Sequence, residues 1–482
     1  MFYVFFFIAL AAVLALGIIG KIKTPCESGV FHSKMAKGLK IAAVVYAGLC
    51  LFCIVLPDAF MLSYDENQLV LTGQVRVFAL LRWFTGVAFI ALPAAVLFPV
   101  RAVRNVAVYF CSTLALVSVF FYPTYMSYFE SLSGKGLAGI EVVGESFKAF
   151  LRNATFRSIV FGLVKLLEIA IPVLFAVNEK HVFNVKDKKE WLNFAIVLPC
   201  LIFLALPIYV PQHLFGYSSL IFDAWSLPHI LWLVLVGVET AVLFFLFRRK
   251  SKIEKKALCF VLALSLLMQY SQVFGSMTIT MGNLPLQLCN IGAFLLVFSI
   301  WTENKKLVDF TVVVNVTGVL LALAVPDLDG EGLFYLYNMH FILEHTNLVI
   351  APLLAMMFGV FPRVDKKTVK HLVVGFSIYF AAVFLLGTVT NALKSATGNS
   401  FYGANYFFMF DPAKAEELVG GLAGIFSVEL RLGEHVLLYP VAQVLIFVVF
   451  TGMCIGVYYA IRGIYALAER KHAKVDKRAT EN

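Results

Sequence analysis

The sequence predicts an all-α fold: a polytopic transmembrane helix bundle of about thirteen spans, with its N-terminus outside and its C-terminus in the cytoplasm. Three observations carry that prediction. Hydrophobic residues make up 61% of the 482 and charged residues 14%, with a mean hydropathy of +0.87, whereas soluble domains run at about 45–50% apolar and about 25% charged. The apolar residues are gathered into runs close to the roughly 20 residues a helix needs to cross a bilayer core. The basic residues alternate between heavy and light in successive connections, as the positive-inside rule requires.

The predicted spans are 2–20, 41–57, 77–99, 106–122, 158–177, 192–210, 231–247, 257–275, 284–301, 307–326, 333–361, 372–391 and 436–460. The runs are long and do not alternate in polarity, so strands are not expected. Lys21 and Lys23 follow the first run and no basic residue precedes it, the reverse of a signal peptide. Lys and Arg number 5, 2, 4, 6, 2, 4 and 6 in 21–40, 100–105, 178–191, 248–256, 302–306, 362–371 and 462–482. The outward segments 58–76, 123–157 and 392–435 hold 1, 4 and 3. The formal charge of +10 is therefore an orientation signal facing anionic inner-leaflet lipid, and nucleic acid is not an expected partner.

The basic linker at 248–256 divides the chain into 1–256, with seven predicted spans and an unassigned role, and 257–482, with six spans and a cytoplasmic tail. No repeat between the halves is visible in the sequence. Among the eight cysteines, Cys50, Cys53, Cys111, Cys200, Cys259 and Cys454 lie in apolar runs and Cys26 in a basic loop, so neither a disulfide framework nor a metal site is expected. No cofactor motif stands out.

Polar side chains at membrane depth are costly and so point to structure or function. Lys165 and Glu168 are three apart on one helix face and can neutralise each other as an intramembrane ion pair, or act as a relay. Arg82 lies near a span end and can snorkel. The ninth span opens with Gln287, Cys289 and Asn290 within four residues, behind Pro285. The eleventh reads Asn338, His340, Glu344, His345, Thr346, Asn347. His340 and Glu344 share one face and Asn338 and His345 another. A cysteine served by a histidine is an activated nucleophile, which makes Cys289 and His345 candidate catalytic residues. Glu344 or Asn338 would set the imidazole tautomer. The Asp327-Leu-Asp329-Gly330 stretch reads as a turn with capping acids.

Four stretches together resemble the YwaF-type integral membrane family of Gram-positive bacteria: LPLQLCNI (284–291), VPDLDG (325–330), HFILEHTNLVIAPL (340–353) and TNALKSATGNSFYGANYFFMFDPA (390–413). The resemblance covers about 257–460. That family is similar to eukaryotic multi-span Cys/His acyltransferases that place polyunsaturated chains on ether phospholipids. The resemblance implies a bacterial plasma membrane protein, Cys289 as nucleophile and His345 as base, with Asn405 and Tyr406 in the accompanying segment. It also marks a departure, Gln287 where the family has His. The implied activity is a membrane lipid acyltransferase or transacylase, or a lipid hydrolase if water replaces the acceptor, acting on an acyl chain of a membrane phospholipid or acyl-lipid from the outer leaflet. Asn290, Asn405 or Tyr406 would hold the oxyanion. Two other classes remain open, a lipid or small-molecule transporter and a non-catalytic membrane subunit that uses 1–256 to bind a membrane protein partner.

Overall fold

The computed structural model describes residues 1–23, 33–55, 73–126, 153–178, 186–208, 210–211, 219–276, 280–324, 331–410, 428–432 and 435–481, with a few isolated positions between them. Arg82 and Cys53 as side chains, Cys26, and the turn at 327–330 lie outside the described residues.

The described residues are predominantly helical. In chain order the helices are α1 (Phe2–Lys23), α2 (Ser33–Val55), α3 (Gly73–Leu97), α4 (Arg101–Asn105), α5 (Ser112–Phe120), α6 (Ala154–Asn178), α7 (Lys188–Leu204), α8 (Leu227–Phe247), α9 (Lys252–Ser276), α10 (Leu288–Thr302), α11 (Lys305–Asp309), α12 (Val316–Ala324), α13 (Leu336–Met357), α14 (Lys366–Thr397) and α15 (Pro440–Glu481). Six-residue π-helical turns, Val106–Cys111 and Phe310–Asn315, join α4 to α5 and α11 to α12. Every predicted span falls on a helix. Seven described stretches are long and apolar enough to cross a membrane: Phe2–Ile19, Arg101–Phe120, Leu227–Phe247, Lys305–Ala324, Tyr337–Met357, Lys366–Thr397 and Pro440–Leu467.

The structure corrects the expectation that strands are absent. Leu430–Leu432 (β1) pairs antiparallel with His435–Leu438 (β2), so the predicted span 436–460 begins inside a hairpin and its helix starts only at Pro440. Apolar content drew the span boundary there, although Pro at a first helical position marks the true start.

The described chain forms two compact units. One comprises Met1–Ile221, Arg249–Ile279 and Glu331–Asn347, the other Phe222–Arg248, Thr280–Gly330 and Leu348–Asn482. Each draws on both sides of the basic linker. In the first, Phe6, Leu10, Ala115, Val119 and Ile169 form a buried cluster joining α1, α5 and α6. Tyr46 on α2 donates to Glu168 Oε1 on α6 at 3.0 Å.

In the second unit, polar groups fix the helix starts. Asp365 caps α14 by accepting from the Lys367 and Thr368 amides, and Thr368 Oγ1 answers by accepting from the Asp365 amide, a full capping box. The fully buried Asp309 accepts from Lys305, from Thr368 Oγ1 at 3.0 Å and from His371 at 2.7 Å. His229, also fully buried, accepts the Trp225 amide at Nδ1 and pairs through Nε2 with the Leu323 carbonyl at 3.0 Å, which ties the start of α8 to the end of α12. A neutral imidazole suits this, since it offers one acceptor and one donor.

Burial alone would raise the Asp365 carboxyl. The Lys305 charge and the two capping amides outweigh it and hold the pKa below the usual aspartate value. Its contribution is therefore complete above the unfolded-state pKa and is lost as pH falls through the depressed folded value. Asp365→Ala should lower stability by about 1 kcal/mol near neutral pH, read as a fall in the melting temperature of detergent-solubilised protein. The gap between variant and parent should close in acid, and a pH-independent gap would contradict the cap assignment.

Candidate functional site

Cys289 occupies the second position of α10 and is partly buried, its thiol donating to Asn290 Oδ1 at 3.3 Å. The first-turn amides of a helix have no intrahelical acceptor and carry the positive end of the helix dipole. Gln287 is the N-cap residue, yet its side chain makes no capping bond. Its amide is engaged elsewhere: Nε2 donates to the Asn405 carbonyl at 3.0 Å, and Oε1 accepts from the Phe407 amide at 2.9 Å. The residue that departs from the predicted pattern thus clamps the 405–407 turn against the head of α10. A neutral histidine also offers one donor and one acceptor.

Several further bonds build that turn. Tyr406, fully buried, donates to the Met281 carbonyl, and burial pushes its phenol up to about 12, so it remains a donor. Asn405 Oδ1 accepts from the Phe410 amide, Asn391 grips Ala404 through both its polar atoms, and Gln443 donates to the Met409 carbonyl. A Cβ on Gly282 would stand 2.7 Å from the Gly403 carbonyl oxygen, so glycine is what allows the two loops to approach. Phe407 and Phe408 sit at φ +54° and +56°, a left-handed conformation costly for aromatic residues. The Gln287 clamp and the packing of the Phe407 ring against Phe376, Tyr379 and Phe450 hold Phe407 there. Tyr379 donates to the Leu286 carbonyl at 2.9 Å and lies within electrostatic range of Cys289.

Asn405 Oδ1 and the Tyr406 hydroxyl are thus engaged in loop structure, and the oxyanion role expected of Asn405 would fall to its Nδ2, which that bond does not use. Sequence reasoning missed the group better suited. Asn315 ends the second π-turn, is 1% exposed, and has no hydrogen-bond partner at either polar atom. Its amide packs against Gly292, where an added Cβ would come within 2.7 Å of Nδ2. Gly292 lies three residues after Cys289, on the same side of α10. Thr311 and Thr317, its neighbours on the same element, are both bonded. A visible signal was an Asn inside a valine-rich run.

The polar run of α13 belongs, through Asn347, to the first unit, whereas Cys289 belongs to the second. His345 Nδ1 pairs with the Phe341 carbonyl at 2.8 Å, so the tautomer is set by the helix backbone and not by Glu344 or Asn338, as expected above. With the proton on Nδ1, Nε2 is the basic nitrogen. Glu344 pairs instead with His340, Nε2 to Oε2 at 3.1 Å, and both His340 Nδ1 and Glu344 Oε1 are buried without partners. Asn338 donates to the Glu331 and Gly332 carbonyls and shapes the helix entry. The i,i+4 spacing showed the His340–Glu344 pair, but the backbone alternative for His345 has no spacing signature.

Lys165 and Glu168 form the anticipated pair at 2.6 Å, both buried, with Tyr46 saturating the second carboxylate oxygen. That closed triad joins α2 to α6. Among the described residues, no cluster of His, Cys, Asp and Glu is arranged to hold a metal ion.

These features define a multi-pass helical membrane protein with a thiol at the head of one helix, framed by a strained, fully bonded turn. Residues 224–455 match the model of the TMEM164 family, a multi-pass membrane family. The match spans just under half of the chain and contains all four motif stretches. It begins upstream of the predicted 257 and takes in α8. No curated protein and no solved structure matches the chain.

Gln287→Leu should strand the Asn405 carbonyl and the Phe407 amide, costing about 1–3 kcal/mol for each group left unpaired, while Gln287→His should stay near the parent. Melting temperatures of the two variants check this, and equal losses would refute the clamp.

Proposed function

We propose that this protein is a membrane lipid acyltransferase or transacylase in which Cys289 carries the acyl chain and His345 moves the proton. The observation that carries the reading is Cys289 itself: a partly buried thiol in the first turn of α10, where the helix dipole favours developing negative charge. The sequence resemblance to Cys/His lipid acyltransferases supports the same assignment. So does the Asn315 amide beside Gly292, because a buried amide without a protein partner is a cost that a substrate carbonyl would relieve.

In the first half-reaction the thiol proton passes to a base, the role the resemblance gives to His345, and Sγ attacks the ester carbonyl of a phospholipid. The C–S bond forms and the C–O bond breaks as His345 returns the proton to the leaving hydroxyl. In the second, the hydroxyl of an acceptor lipid gives its proton to His345 and attacks the thioester, and the thiolate leaves and is reprotonated. Asn315 Nδ2 donates to the acyl oxygen in both tetrahedral intermediates. Water in place of the acceptor makes the same site a hydrolase.

Acyl transfer between labelled phospholipids in proteoliposomes tests the roles. Cys289→Ala and His345→Ala should each lower turnover by about a thousandfold or more, with little further loss in the double variant, because groups acting in one step are not additive. Asn315→Leu should cost about a hundredfold or more in kcat/KM with an equal or higher melting temperature. Undiminished transfer in Cys289→Ala would end the proposal. A destabilised Asn315→Leu protein would return that residue to a structural role.

A further inference from the structure

We infer that the first six spans of the chain, α1 to α7, are a second, divergent copy of the six spans that follow them, and that this copy has lost the thiol and imidazole positions. Helices α1 to α7 and α8 to α14 run in the same order, and the most unusual element of each set is the same. In both, the fourth span is interrupted identically: five α-helical residues, a six-residue π-turn, then nine α-helical residues, Arg101–Asn105, Val106–Cys111 and Ser112–Phe120 against Lys305–Asp309, Phe310–Asn315 and Val316–Ala324. π-Turns are rare, so two at the same place in two six-span sets are hard to assign to coincidence.

The contacts repeat with the element. In the first unit, α4 and its π-turn pack on α3 and α7; in the second, α11 and its π-turn pack on α10 and α14. The last helix of each set is capped by the same tripeptide, Asp187-Lys188-Lys189 and Asp365-Lys366-Lys367, with Asp187 accepting from the Lys189 amide as Asp365 does from the Lys367 amide. The third helical residue is then Glu190 or Thr368. Glu190 pairs with Arg101, the first residue of α4, and Thr368 accepts from Lys305, the first residue of α11, at 3.0 Å. One interhelical latch is thus present twice, at equivalent positions with different chemistry.

The second and fifth helices of each set are also joined by one polar bond in both cases, Tyr46 to Glu168 and Asn347 to Gln269. Each fifth helix carries a proline shortly before its end, Pro172 and Pro352. Finally, the connections after the first, third and fifth spans carry 5, 2 and 4 basic residues in one set and 6, 2 and 4 in the other. Six spans per copy is an even number, so both copies start from the same side of the membrane, a tandem and not an inverted repeat. The thirteenth helix, α15, stands outside both.

Equivalence assigns the missing chemistry. His345 stands seven residues before Pro352, and seven before Pro172 is Lys165. Cys289 is sixteen residues before Lys305, and sixteen before Arg101 is Thr85, next to Phe84. Neither counterpart is a cysteine or a histidine. Where the second copy carries its basic nitrogen, the first carries the closed Lys165–Glu168–Tyr46 triad. The first copy is therefore a scaffold whose counterpart site is sealed by an internal ion pair, and this gives residues 1–221 their role.

Two measurements test this. An experimental density map of the full chain should show wide turns at 106–111 and 310–315, and the trio α3, α4–α5, α7 should superpose on α10, α11–α12, α14 with the same hand and chain direction. A regular α-helix at either turn, or superposition only with reversed direction, overturns the duplication. Lipid acyl transfer should persist within about twofold in the paired variant Lys165→Met with Glu168→Gln, and in Thr85→Ala, which carries the test alone if the paired variant does not fold. Loss of transfer in a folded Thr85→Ala protein overturns the scaffold assignment. If Cys289→Ala also retains transfer, the acyltransferase reading fails while the density map still decides the duplication.

Discussion

Lipid offers a helix no hydrogen bonds, so every polar atom inside the bundle must find its partner within the protein or remain an uncompensated cost. Most of the molecule follows from meeting that demand. Asp309 is met three times over, by Lys305, Thr368 and His371. Glu168 is met by Lys165 and Tyr46. His229 is met at both ring nitrogens by backbone groups. These are closed arrangements, and each joins two helices that apolar packing alone would leave free to slide.

Against that background the exceptions carry the functional argument. Asn315 keeps a buried amide with no protein group bonded to it, against a glycine one turn beyond Cys289 on α10. The turn opposite is rigid, bonded through Gln287, Asn391, Tyr406 and Gln443, and forced through two left-handed phenylalanines. Strain held by so many bonds is the form in which proteins keep a reactive group in place. The two copies differ in chemistry at this place: the first carries the Lys165–Glu168–Tyr46 triad and the second the thiol.

The helical architecture was legible because run length and loop charge are properties of sequence alone. Lys165 with Glu168 and His340 with Glu344 were legible for the same reason, since helical spacing places them on one face. What spacing could not show were bonds between a side chain and a distant backbone. Gln287 bonds the backbone of Asn405 and Phe407, the Asn405 side-chain oxygen accepts from Phe410, and Tyr406 donates to Met281. His345 takes its tautomer from its own helix. The duplication was hidden by divergence, because the halves share the DKK cap and a proline but little else in letters. Its charge rhythm of 5, 2, 4 and 6, 2, 4 was already in the sequence and gains meaning only once the two π-turns coincide.

The most direct test of the account is whether Cys289 becomes acylated. Protein incubated with phospholipid, digested and analysed by mass spectrometry should show an acyl mass on the Cys289 peptide. Neutral hydroxylamine should remove it, and it should be absent from Cys289→Ala. Acyl transfer that proceeds with an unmodified Cys289, or an acyl adduct that survives the loss of that thiol, would contradict the chemistry assigned to this helix.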